Sequence, residues 1–289
     1  MGNKNIANSI RDRLLNIMRK ESNVQYMQVL LRYIQERMLY RLSISPYREN
    51  FFLKGSALLF AYDKFQARPT KDIDFLGDKI SRDKEFIKRV FGEISSIECI
   101  EDGITFDYEE IKVEEISLDK EYNGVTVSLI ARLGTSVTNF SMDIGFGDII
   151  IPEPHNLDYP LLLDDMPGVN IYAYSLETVV AEKFQTMIDR GILNSRMKDF
   201  FDVYTIILSE KLDKDILIDA ISTVLKNRGT EYYENHPLFN GELKSDSNKQ
   251  IQWNSFLKKI KYKQNLSLEV VIETITNFLY PYWQLLKKS

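Results

Sequence analysis

The sequence predicts an α/β (α+β) fold: a mixed sheet with flanking helices, followed by a C-terminal helical bundle. Three patterns carry this expectation. Between Phe51 and Phe146, short runs alternate apolar and polar residues with period two. A connector punctuated by Pro152, Pro154, Pro160 and Pro167 follows, and from Ser175 onward apolar residues recur every three or four positions. The 289 residues are enough for two domains or one large one, and 44% hydrophobic with 27% charged content is ordinary for a soluble globular chain. The boundary is placed between 1–165 and 166–289.

Within 24–42, Met27, Leu30, Leu31, Ile34, Met38 and Leu42 make an amphipathic helix. Phe51-Phe52-Leu53 reads as a short buried strand ended by Gly55, and 56–62 as a short helix that presents its N-terminus to an anion. Residues 71–76 read as a strand, 83–95 as a helix, and 111–116, 125–133 and 139–146 as further strands. Helices are expected over 175–190, 196–209, 214–226, 252–262 and 268–286, with Gly191 and Gly229 as stops; the polar stretch 231–248 reads as a loop.

Composition narrows the chemistry. A net charge of −5 argues against a basic polyanion-binding module, so any nucleic-acid contact must be local. One cysteine, Cys99, excludes an intramolecular disulfide, and two histidines leave little for His-based metal sites or a Ser/His/Asp triad. Carboxylates, lysine and arginine must carry the reaction. Met1-Gly2 begins like a myristoylation site, but Ile6 stands where Ser or Thr is wanted. No apolar run suits a signal peptide or the ~20 residues of a membrane span, so a cytoplasmic protein without a membrane partner is expected.

The most informative stretch is Gly55-Ser56, followed by Arg68-Pro69-Thr70-Lys71-Asp72-Ile73-Asp74-Phe75. On a strand, Asp72 and Asp74 point the same way while Ile73 and Phe75 point the other, giving a carboxylate pair on a hydrophobic base. Such a pair suits Mg²⁺ and a triphosphate, and a glycine-serine turn lets backbone amides and a hydroxyl approach phosphate oxygens. A lone Asp-x-Asp is more often a solvated strand edge. Here Arg68 and Thr70 converge on the same place.

Two-metal phosphoryl transfer usually needs a third carboxylate. In 140–146 the apolar Phe140, Met142, Ile144 and Phe146 share one face, leaving Ser141, Asp143 and Gly145 on the other, so Asp143 has the right parity. Asp148 is the competitor, but it lies past Gly147, where a turn-capping role suits it better. Lys183 falls inside the apolar arc of Leu176, Val179, Val180, Phe184, Met187 and Ile188. It either covers the core edge with its stem or serves as a cation for nucleotide phosphates. Asp199 lies at the margin of its helix's apolar face, able to pair Lys183 or Arg196 or to touch substrate, whereas Lys198, Asp202 and Thr205 point to water. Lys258, Lys259, Lys261 and Lys263, beside Trp253, Phe256 and Tyr262, form either a solvated face or a strip for an RNA backbone.

Taken in order, Gly55-Ser56, Arg68, Thr70, Asp72, Asp74, Asp143, Glu182-Lys183-Phe184 and Arg196-x-Lys198-Asp199-x-x-Asp202-Val203-Tyr204 resemble the nucleotidyltransferase family of AbiEii/AbiGii-type toxins. The resemblance spans 51–208. It implies a polymerase-β-like nucleotidyltransferase domain, with N-terminal helices, joined to a helical domain. Gly55, Ser56, Arg68, Thr70 and Lys183 would bind the nucleotide; Asp72, Asp74 and Asp143 would hold Mg²⁺ in a two-metal site; Asp199 would be catalytic or positioning. It further implies an NTP substrate, a hydroxyl acceptor on tRNA or another RNA, a role in toxin–antitoxin and phage-defence systems, and an antitoxin partner. Other readings are a non-catalytic nucleotide- or partner-binding regulator, and a transferase acting on a small-molecule or protein hydroxyl.

Overall fold

Alternation along the strands sets the two faces of the sheet. In this computed structural model, which describes residues 3–21, 24–116 and 124–288, the chain divides into two compact units. The Met1-Gly2 start considered for lipidation lies outside the described residues. One unit comprises Met1–Gly147 and His155–Ala173, the other Asp148–Pro154 and Tyr174–Ser289.

The first unit runs α1 (Asn3–Lys20), α2 (Tyr26–Ser43), β1 (Phe51–Lys54), α3 (Gly55–Asp63), β2 (Asp72–Gly77), α4 (Lys84–Ser95), β3 (Ile104–Phe106), β4 (Lys112–Glu115), β5 (Gly124–Leu133), β6 (Ser136–Phe146), β7 (His155–Tyr159) and β8 (Val169–Ala173). The strands order as β3-β5-β6-β2-β1-β8-β7, with β4 also paired to β5. The sheet is mixed: β2 pairs β6 and β1 pairs β8 in parallel, and the other pairs are antiparallel. In-register neighbours share a face. The rows Leu53–Phe75–Ile144–Val125 and Ile73–Met142–Val127 are therefore one continuous apolar surface, and all seven residues are buried. Helix α4, capped by Asp83 accepting from the Phe86 amide at 2.9 Å, adds Ile87, Val90, Phe91 and Ile94 to this core. Phe91 meets Phe51 edge-on with centroids 5.1 Å apart, and Phe51 meets Phe75 in turn at 6.0 Å.

Helix α2 departs from the simple amphipathic helix expected for it. Arg32, Gln35, Glu36, Arg37 and Arg41 are all buried. Arg41 pairs with Asp102 at 2.7 Å and Arg37 with Glu36 at 2.7 Å. Burial pushes the Glu36 carboxyl up to about 7 against the pull of Arg37. Arg32 donates to the Arg68 carbonyl at 3.2 Å and Gln35 to that of Thr70 at 3.4 Å, so α2 holds the loop that enters β2.

Further differences from the sequence reading have physical causes. The connector is not structureless, because β7 pairs β8 antiparallel over five residue pairs and β8 joins β1 through Leu53 and Ala173. The unit boundary accordingly falls after Ala173 rather than after residue 165. Residues 148–154 belong to the second unit, where Thr178 donates to the Ile151 carbonyl at 2.6 Å. Helix α1, not delimited from sequence, buries only the sparse stripe Ala7, Ile10 and Leu14.

The second unit is helical: α5 (Leu176–Arg190), α6 (Met197–Leu208), α7 (Lys214–Asn227), α8 (Glu242–Ser245), α9 (Ser247–Lys259) and α10 (Leu268–Leu285). Two fully buried tryptophans anchor it. Trp283 is ringed by Phe184, Tyr232, His236 and Phe239; Trp253 packs with Phe201 and Phe256 and donates to the Leu266 carbonyl at 2.7 Å. The stretch expected as a loop over 231–248 contributes buried His236, Leu238 and Leu243 and contains α8. His236 Nδ1 accepts from the Leu238 amide at 3.0 Å, which leaves Nε2–H to donate to the Ile188 carbonyl at 2.8 Å. Among the described residues no helix is long and apolar enough to cross a membrane.

Candidate functional site

Four adjacent strands build a polar surface on the side of the sheet opposite the apolar rows. Asp72 and Asp74 stand on β2; β6 places Ser141 beside Asp72 and Asp143 beside Asp74. Strand β5 places Thr126 beside Asp143, and β1 places the buried Lys54 beside Asp74. The parity expected of Asp143 is therefore met in register, and all three carboxylates are half-buried. The Ser141 hydroxyl donates to Asp72 Oδ1, and Thr126 Oγ1 donates to Asp143 Oδ1 at 2.7 Å.

Gly55 starts α3 directly after β1, with φ of +67°. A Cβ on Gly55 would stand 1.9 Å from Asp74 Oδ2, so both the backbone conformation and the approach of the carboxylate exclude any side chain there. The side chain of Lys54, which precedes α3, does not cap its first turn, and the start of a helix suits an anion. Ser56 is 1% exposed, and its Oγ has no hydrogen-bond partner among the described residues. A buried hydroxyl left unsatisfied costs about 1–3 kcal/mol. A phosphate oxygen at this helix start would satisfy it.

Arg68 and Thr70 shape the approach to β2. The Arg68 carbonyl accepts from Arg32, and the Thr70 hydroxyl donates to the Asp72 carbonyl at 3.3 Å. Asp148 forms an ion pair with Arg228 at 2.9 Å within the second unit.

The donor set can be tested against Mg²⁺. Among the described residues no three acidic, histidine or cysteine groups are gathered closely enough to make a closed metal cage. Mg²⁺ does not require one, since it is usually held by one or two carboxylates together with substrate phosphates and water. A strand-borne carboxylate pair with a third in register, beside a helix start suited to phosphate, fits that mode.

In the second unit Lys183, Asp199, Asp202 and Arg196 form one ion cluster. Lys183 Nζ lies 2.8 Å from Asp199 and 2.9 Å from Asp202, and Arg196 Nε lies 2.5 Å from Asp199. Both aspartates are 1% exposed. Burial alone would raise the Asp199 carboxyl, but Lys183 and Arg196 outweigh it and hold it well below its usual value. Its contribution to stability is thus present above the ordinary carboxylate range and is lost as pH falls through its depressed value. The expectation that Asp202 faces water is corrected: one helical turn from Asp199, it shares the side that meets Lys183. Lys258, Lys259, Lys261 and Lys263 are exposed, whereas Trp253, Phe256 and Tyr262 pack around Phe201.

Sequence reasoning missed Lys54 and Thr126 and treated Ser141 only as a small neighbour. Their relation to the aspartates appears only once strands are paired, and no spacing along the chain encodes that pairing.

The first unit is thus a mixed sheet bearing paired carboxylates beside a glycine-serine helix start, a fold shared with a solved structure. The family described as nucleotidyl transferase AbiEii toxin of a type IV toxin–antitoxin system matches residues 37–284, and the chain belongs to it. Among solved structures it is similar to JHP933 from Helicobacter pylori, at 12% identity with a TM-score of 0.50, over 92% of this chain and 96% of that one. A candidate nucleotidyltransferase from H. pylori aligns over 92% of this chain and 98% of its own, at 12% identity with a TM-score of 0.48. No curated protein matches.

Two predictions follow from these contacts. Gly55→Ala should cost about 1–2 kcal/mol of backbone strain and lower nucleotidyl transfer by about 100-fold or more, because Asp74 must move; urea unfolding and a transfer assay separate the two effects. Lys183→Met should lower the unfolding free energy by about 3–5 kcal/mol by leaving two buried carboxylates short of their cation. An unchanged urea midpoint would contradict the structural role of that lysine.

Proposed function

We propose that the chain is a Mg²⁺-dependent cytoplasmic enzyme that transfers a nucleoside monophosphate from an NTP to a hydroxyl on RNA, with tRNA as the favoured acceptor and pyrophosphate as the other product. The observation that carries this reading is the row of Asp72, Asp74 and Asp143 on one face, next to Gly55 and the unsatisfied hydroxyl of Ser56. The α3 amides and Ser56 would bind triphosphate oxygens. Asp72 and Asp74, with Asp143 beside them, would hold the metal, which when bound neutralises charge developing on the transferred phosphoryl group. Asp143 would orient the incoming hydroxyl and accept its proton. Lys54, in register with Asp74, adds a cation to an otherwise anionic face.

The acceptor rests on different support. The family's membership of type IV toxin–antitoxin systems suits a target whose modification arrests growth and a second gene product that counteracts it. The exposed lysines after Trp253 offer a local basic strip that an RNA backbone would find on a chain of net charge −5. Lys183 and Asp199 tie α5 to α6 within the second unit, and the nucleotide-binding role of Lys183 and the catalytic or positioning role of Asp199 are part of this proposal.

Incubation with α-³²P-labelled NTPs, Mg²⁺ and total RNA tests the reading. Label should appear in the tRNA fraction with wild type and fall by about 10³-fold or more with Asp72→Ala, and the same substitution should relieve growth arrest. Absence of transfer to any RNA, with Asp72→Ala as toxic as wild type, overturns it.

A further inference from the structure

The three carboxylates are placed by two devices. Asp74 is pressed against Gly55, where only a missing Cβ leaves it room. Asp72 accepts from the Ser141 hydroxyl, and Asp143 accepts from Thr126 Oγ1 at 2.7 Å. Both hydroxyls stand in register with the carboxylates they serve, on strands β6 and β5. Three like charges on one face repel one another, and an aspartate on an open sheet face has several rotamers. A hydroxyl donor occupies one of about four lone-pair positions of a carboxylate; it fixes the plane of the group without cancelling its charge.

We propose that Thr126 and Ser141 are positioning residues that orient Asp143 and Asp72 toward a divalent cation. The inference rests on the metal-dependent reading above and deepens it. Carboxylates that bind metals are themselves commonly hydrogen-bonded, and loss of such a partner typically weakens metal binding by ~10–100-fold. The two hydroxyls act through the aspartates and need not touch the nucleotide. Thr126 is well suited to the task, because its branched side chain has few rotamers on a strand.

The test uses the full chain, Mn²⁺ as the probe and electron paramagnetic resonance to read free metal, with a non-hydrolysable NTP analogue present so that no turnover is required. Thr126→Val keeps shape and strand propensity while removing the donor, and Ser141→Ala does the same at the second position. Each should raise the Mn²⁺ dissociation constant ~10–100-fold, with melting temperature and far-UV circular dichroism close to wild type. Thr126→Ser, which keeps the hydroxyl, should restore binding to within about threefold of wild type. If one of the two donor-removing variants does not fold, the other decides.

The inference is overturned if both bind Mn²⁺ as wild type does while Asp74→Asn does not, an outcome that leaves the metal-dependent reading standing. It is equally overturned if Thr126→Ser binds as weakly as Thr126→Val. Wild type that binds no Mn²⁺ through Asp74 removes the metal-dependent reading and this inference together.

Discussion

The register of β2 against β6 is the constraint on which the rest depends. In parallel pairing, Asp74 meets Asp143 and Asp72 meets Ser141, while the alternate residues Ile73, Phe75, Met142 and Ile144 go to the core. A slip of one residue would exchange the two sets, sending carboxylates into the apolar rows and four large apolar side chains into water. Burying an unpaired carboxylate is far more costly than any loop adjustment that would avoid it. The same hydrophobic pattern that forms the sheet therefore also assembles the acidic face. Stability and site geometry are two readings of one alternation.

Much of this was legible along the chain because alternation is local. Asp72, Asp74 and Asp143 could be assigned to a common parity from their immediate neighbours, and Gly55-Ser56 announced a turn into a helix before any pairing was known. What the chain could not disclose depends on contacts distant in sequence. Thr126 reaches Asp143 across an antiparallel pair, and Lys54 meets Asp74 only because β1 lies beside β2. Strands β7 and β8 were hidden by prolines at their margins, since Pro160 and Pro167 lie just outside the paired residues rather than within them.

Polar groups were the other source of error, for a common reason. Helical-wheel arithmetic assigns a charged residue to water by default, yet Asp202 is buried against Lys183, and α2 buries three arginines, a glutamine and a glutamate. Each of these finds a partner elsewhere in its own unit: Arg41 finds Asp102, Arg32 finds the carbonyl of Arg68, Glu36 finds Arg37 and the Leu162 amide. Such pairs contribute little net stability over apolar residues of similar size. They do define geometry, and the contacts of Arg32 and Gln35 fix the backbone that delivers Asp72 to its strand.

In the proposed function, the acidic face and the start of α3 together hold metal and triphosphate. Crystals grown with Mn²⁺ and a non-hydrolysable NTP analogue, with data collected at a wavelength where manganese scatters anomalously, test it most directly. An anomalous peak is expected in contact with Asp72 and Asp74, with phosphate oxygens on the Ser56 hydroxyl and the first amides of α3. Manganese bound elsewhere, or a triphosphate that leaves Ser56 untouched, would contradict it.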